Sequence, residues 1–164
     1  MKVVVTTGTF GYSALVKAFL DSLSDLSTVC SHLEIQYGQD GEEFLDPLSL
    51  LEFKGIEGIK IRLVKYYSSI ESFVEDADVV VTHAGTGTVL ELAGLNKTFV
   101  VVPNPLLKNS HQMEFSKFLK ENGMCVSSPD RVVQDIIRKN YAQKSVRVTE
   151  DLWDIIAQRL DVAL

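Results

Sequence analysis

The stretch 79-VVVTHAGTGTVLELAGLN-96 carries one charged side chain, Glu91. Its first four residues are β-branched with no polar alternation, as in a strand buried on both faces of a parallel sheet. Small residues follow, with Gly85 and Gly87 set between hydroxyls, and then an apolar run that predicts a helix over 86–95. Glycines let the backbone approach a ligand closely. The first amides of a helix point outward with partial positive charge, which suits a phosphate, and Thr86 and Thr88 add hydroxyl donors. A lone Gly-x-Gly is equally an ordinary strand-to-helix turn. Glu91 lies about one turn further on. A carboxylate is costly to bury unless it is hydrogen-bonded. It therefore either accepts two hydroxyls, as a ribose offers, or faces solvent on the exposed side of its helix.

The same strand–loop–helix order recurs on either side. Residues 2–7 form an apolar β-branched run, ended by Gly8, Thr9, Phe10 and Gly11, and Leu15, Phe19, Leu23 and Leu26 mark one stripe of a helix over 13–26. Residues 33–37 predict a second strand and 39–58 a long loop. Residues 59–66 predict a third strand, 68–77 a short acidic helix, 78–82 the fourth strand and 98–102 a fifth, stopped by Pro103. Asn109 or Ser110 caps a helix running to about 122. A short sixth strand over 123–127 and a helix over 129–140 come next. Thr149 caps a last helix with Glu150 and Asp151 in its first turn. Alternating strands and helices imply an α/β fold with a doubly wound, Rossmann-like parallel sheet. Ligands bind such sheets at the carboxyl ends of the strands, so the loops at Gly8, His83 and Pro103 are expected on one edge.

Composition narrows the function. With 164 residues the chain suits a single domain with a real core. A net charge of −6 and the lack of a basic cluster argue against nucleic acid. No apolar run reaches the roughly 20 residues of a membrane helix, and the start, MKVVVTTGTF, reads as a first strand and not a signal peptide. Cys30 and Cys125 lie far apart without metal-like spacing, so they are expected as buried or semi-buried thiols in a cytosolic protein. Asp76 and Asp78 flank the start of a buried strand, at its amino end, which argues against a divalent-metal site.

One further stretch carries chemistry. In 100-VVVPNPLLKNSHQME-114, Pro103 and Asn104 follow a strand, and His111 and Gln112 stand in the first turn of a helix. Gln112 offers both a donor and an acceptor, as sugar hydroxyls require; His111 serves likewise or is simply solvated.

Taken in order, His83, Gly85, Thr88, Glu91, Pro103 and Gln112 resemble the nucleotide-sugar motif of two-domain (GT-B) glycosyltransferases, with Gln112 a few residues late. With VTTGTF, HAGTGT and NSHQME, the chain is most similar to the donor-binding subunits of the eukaryotic UDP-N-acetylglucosamine transferases. These add the second N-acetylglucosamine to the dolichol diphosphate precursor of N-glycans. The bacterial lipid II N-acetylglucosaminyltransferases are more distant. The first loop departs from the family's Gly-Thr-Thr-x-Phe, and Asn96-Lys97-Thr98 replaces a common Gly-Lys-Pro turn; Asn tolerates the left-handed conformation the turn needs.

The resemblance implies a single GT-B half-domain over 1–164 that takes UDP-N-acetylglucosamine. His83, Gly85, Thr86, Gly87 and Thr88 cradle the diphosphate, Glu91 holds the ribose, His111 and Gln112 contact the sugar beside Pro103 and Asn104, and Gly8 and Thr9 form the facing loop. It implies inverting transfer to dolichol-linked N-acetylglucosamine diphosphate without metal or cofactor. It also implies a membrane-anchored partner that supplies the acceptor half and the base, at the cytosolic face of the endoplasmic reticulum. The helix over 150–164, with Leu152, Trp153, Ile156 and Leu160, either docks on its own sheet or packs in part on that partner. A non-catalytic UDP-sugar-binding module is the alternative. A dinucleotide dehydrogenase is disfavoured, because TGTFGYS after the first strand lacks Gly-x-Gly-x-x-Gly.

Overall fold

A computed structural model describes residues 1–40, 58–106 and 111–141, with the side chain of His111 excepted. Most of the loop expected at 39–58, the caps at Asn109, Ser110 and Thr149, and the last helix lie outside the described residues.

Five strands form one parallel sheet: β1 (Lys2–Thr6), β2 (His32–Gln36), β3 (Lys60–Val64), β4 (Val79–Thr82) and β5 (Phe99–Val101). Their order across the sheet is β3-β2-β1-β4-β5. The chain thus winds outward from β1 in one direction, then returns past β1 and winds outward in the other. Between β1 and β4 the following loops part to opposite faces, which opens a crevice at their carboxyl ends. Register puts Thr6 beside Thr82 at that end.

Six helices cover the two faces among the described residues. On one face, α1 (Ser13–Asp21), α2 (Leu23–Leu26) and α6 (Val132–Ile137) pack Leu15, Phe19, Leu26 and Ile136 on Val3, Val5, Leu33, Ile35 and Val81. On the other, α3 (Ile70–Val74), α4 (Thr86–Gly94) and α5 (His111–Glu121) pack Phe73, Val89, Leu92 and Leu119 on Val4, Val80 and Val101. Every residue of β4 is buried, as its unbroken apolar run requires of a strand between two layers. Burial of this kind, at about 25 cal/mol per Å² of apolar surface, is the main stabilising term.

Four elements differ from the sequence reading, among them the helix expected over 129–140, which shortens to α6. The helix expected over 13–26 breaks at Ser22, which caps α1 through its amide and precedes α2. The sixth strand is a single parallel bridge between Val101 and Val126, with Val101 N–H donating to Cys125 and Ser127 N–H to Val101. The acidic helix shortens to α3, whose Ser69 side chain caps Ser72 N–H at 3.1 Å. The Asn96 turn is as expected: its φ is +52°. Asp78 lies at the amino end of β4, where its carboxylate accepts the Lys2 amide at 2.6 Å.

Candidate functional site at the carboxyl edge of the sheet

Two glycines and one imidazole define the crevice. Gly8, in the loop after β1, has φ +77°, open to glycine at little cost. A β-carbon built there would lie 2.6 Å from His83 Cε1, and one built on Gly85 would run into Nε2 of the same ring. His83 is therefore wedged between the β1 and β4 loops, in space that only hydrogen side chains leave free. Its Nδ1 is buried without a hydrogen-bond partner. An orphaned polar atom costs about 1–3 kcal/mol and calls for a reason. Burial holds the imidazole below its ordinary pKa, against a smaller opposing pull from the Thr6 carbonyl, so the ring favours its neutral form.

A cleft of about 260 Å³ opens on one side of His83, lined by Gly8, Thr9, Gln36, Tyr66, Tyr67 and Thr88. A smaller recess of about 50 Å³ lies on the other side, among Thr7, Thr9, Phe10, Gly11, Asn104 and Gln112. Gly85 caps α4, and Val89 N–H donating to Gly85 is the first bond of the helix. The amides of Thr86, Gly87 and Thr88 thus lie ahead of that ladder, at the positive end of the helix dipole. Glu91 is exposed on α4, three residues beyond Thr88 and so on the same helical face as this cleft-lining residue.

On the recess side, Gln112 Oε1 accepts the Asn104 amide at 3.2 Å, which turns the residue's carboxamide inward and leaves its NH₂ as a donor. Asn104 is itself buried and accepts the Leu106 amide. The Tyr12 hydroxyl donates to the Pro103 carbonyl at 3.0 Å, linking the start of α1 to the loop after β5. Burial pushes the Tyr12 hydroxyl up to about 12.

The structure thus gathers Gly8, Thr9, His83, Gly85, Thr88, Asn104 and Gln112 at one edge. Thr86, Gly87 and Glu91 follow on α4, and Pro103 is reached through Tyr12. The contacts of the His111 side chain lie outside the described residues. Gln36, Tyr66, Tyr67 and Tyr12 also build the site and were not read from the sequence. Gln36 and Tyr12 are polar residues that end up buried, a signal visible only once their strand and helix are placed.

A larger groove of about 440 Å³ lies at the opposite, amino edge, among Lys2, His32, Glu34, Lys60, Arg62 and Asp76. Its size does not outweigh its position: it lies at the amino edge of the sheet, away from the carboxyl ends where such folds bind ligands, and Glu34 is held there by Lys2 at 2.9 Å and Arg62 at 2.6 Å.

Residues 2–143 match the family model of the glycosyltransferase family 28 C-terminal domain. The UDP-N-acetylglucosamine transferase subunit ALG13 of Candida albicans is 27% identical over 80% of this chain and 44% of its own length. The human subunit of that name is 32% identical over 74% of this chain and 10% of its own. The chain therefore spans less than half of these relatives. Among solved structures, Acinetobacter baumannii MurG superposes with a TM-score of 0.70 at 20% identity, over 96% of this chain and 49% of that one. An ALG13 solution structure superposes with a TM-score of 0.66 at 19% identity, over 98% and 96%. These two share the fold.

Proposed function

The chain belongs to the glycosyltransferase family 28 C-terminal domain family, and from that premise we propose that it binds UDP-N-acetylglucosamine at the carboxyl edge of its sheet. In this reading it is the donor-binding subunit of a heterodimer that transfers the sugar to dolichol-linked N-acetylglucosamine diphosphate. The observation that carries the reading is the wedge of His83 between Gly8 and Gly85, directly beside the free amides of α4. A diphosphate there meets a helix N-terminus, hydroxyls of Thr86 and Thr88, and the His83 ring that lines the cleft.

Each remaining group has a chemical task. Glu91, with two acceptor oxygens, takes the two ribose hydroxyls. Tyr66, half-exposed on the cleft wall, offers a ring face to the base. Gln112, its carbonyl already engaged, donates to the sugar. An acceptor hydroxyl attacks the anomeric carbon, a new C–O bond forms as the bond to the diphosphate breaks, and UDP leaves with inversion. The helix N-terminus and a His83 proton stabilise the charge that develops on the diphosphate. The attacking hydroxyl's proton goes to a base on the partner.

Two features support a partner. Ligand sites usually enclose about 300–1,000 Å³, and this cleft, at about 260 Å³, is smaller than that among the described residues. Phe10, Tyr66, Leu106 and Met113 are exposed around it, following strand ends or adjoining Gln112, and Leu106 is 82% exposed. Among the described residues no helix is long and apolar enough to cross a membrane. Anchoring at the cytosolic face of the endoplasmic reticulum would then come from the partner.

The test is transfer of labelled N-acetylglucosamine from UDP to dolichol-linked N-acetylglucosamine diphosphate by the chain co-expressed with its membrane partner. Glu91→Ala is expected to raise the donor KM by tenfold or more, on the order of 1.4 kcal/mol. Donor binding without turnover would leave only the non-catalytic module.

A further inference from the structure

Gln36 ends β2 in the wall of the cleft, 2% exposed, and every hydrogen-bonding site of its carboxamide is engaged. Oε1 accepts from Thr6 Oγ1 at 2.9 Å, Thr7 N–H at 3.0 Å and Gly8 N–H at 3.1 Å. Nε2 donates to the Gly8 carbonyl at 2.9 Å and the Lys65 carbonyl at 3.0 Å. Two backbone amides on one side and two carbonyls on the other fix which end is oxygen. The Gln36 carbonyl accepts Thr7 Oγ1 at 2.9 Å as well.

These bonds join three walls of the cleft. Gly8 belongs to the loop that presses on His83, and Lys65 immediately precedes Tyr66 and Tyr67. With no donor or acceptor left over, the carboxamide has nothing to offer a ligand directly. We infer that Gln36 is a positioning residue for nucleotide binding, holding the Gly8–Thr9 loop against His83 and in register with the Tyr66 wall. This rests on the proposed donor site.

The test uses UDP as probe with the full chain, its affinity followed by NMR titration from pH 5 to 8.5. Gln36→Glu keeps the shape of the side chain. Ionised, it loses both donors and sets a charge against two carbonyls; protonated, it regains one donor. Burial raises the new carboxyl's pKa into the accessible range. The expected result is a ratio of variant to wild-type Kd that climbs with pH to about tenfold. Gln36→Met should weaken UDP at every pH alike. Thr6→Val removes one bond to Oε1, so it is the variant to use should the others fail to fold, and it should raise Kd about threefold; Tyr67→Phe controls for the 3.5 Å contact between the Thr6 and Tyr67 hydroxyls and should leave Kd unchanged. A residue that merely supported the fold would lower the melting temperature yet leave the folded chain's Kd at the wild-type value across the pH range, and that result overturns the inference. Wild-type protein that does not bind UDP would instead overturn the donor site itself.

Discussion

His83 shows how much of the site rests on single atoms. Its ring fills the space that β-carbons on Gly8 and Gly85 would occupy. Gly85→Ala should therefore displace the imidazole and cost about 1–3 kcal/mol of stability by overpacking, read from urea unfolding, with weaker UDP binding besides. The folded chain favours the neutral ring, because burial lowers its pKa. The unfolded chain then holds more protons just below the ordinary histidine value, so stability falls as pH drops through that window. A bound diphosphate reverses the preference, since an adjacent anion favours imidazolium. NMR titration of His83 should show its midpoint rise when UDP is added; an unmoved midpoint would separate His83 from the phosphates. The glycines and His83 were legible because their spacing along the chain is itself the pattern; Gln112 stands a few residues late in it and was read from its chemistry. Gln36 was not, because the carbonyl of Lys65 that it meets lies 29 residues away.

At the scale of elements, uniform apolar runs such as β4 were legible, since a strand buried on both faces has no polar alternation to hide it. Ends were less so: residues 123–127 have strand-like composition, yet only Val126 pairs with the edge strand β5. Glu34, midway along β2, ties Lys2 at the start of β1 to Arg62, midway along β3. Burial raises the Glu34 pKa, but the bonds from Lys2 and Arg62 outweigh it, and the net shift is downward. A carboxyl so depressed stabilises the fold above its unfolded pKa and loses that contribution as pH falls through the folded one. Glu34→Gln should cost about 1–3 kcal/mol at neutral pH and less at an acid pH below the folded-state pKa, where the wild-type carboxyl is protonated too. Urea unfolding at the two pH values checks this; an equal loss at both would mean the ion pairs contribute nothing. The groove those residues line is, in this account, structural.

For the whole molecule, the strand order matters most. Reversal of winding between β1 and β4 puts two glycine loops at one crevice, and that much followed from alternating elements alone. The proposed partner surface did not follow from them; it is argued from Phe10, Tyr66, Leu106 and Met113, which stand in solvent. Leu106→Asp should weaken co-purification with the proposed acceptor-binding partner by about tenfold while leaving the chain's own melting temperature unchanged. Undiminished capture would place the partner elsewhere. The most direct check on the central claim is an amide NMR titration of the chain with UDP-N-acetylglucosamine. Saturable shifts are expected at Gly8, Thr9, Thr86, Gly87, Thr88 and Glu91. Shifts confined to Lys2, Glu34, Lys60 and Arg62 at the opposite edge, or none at any concentration, would contradict it.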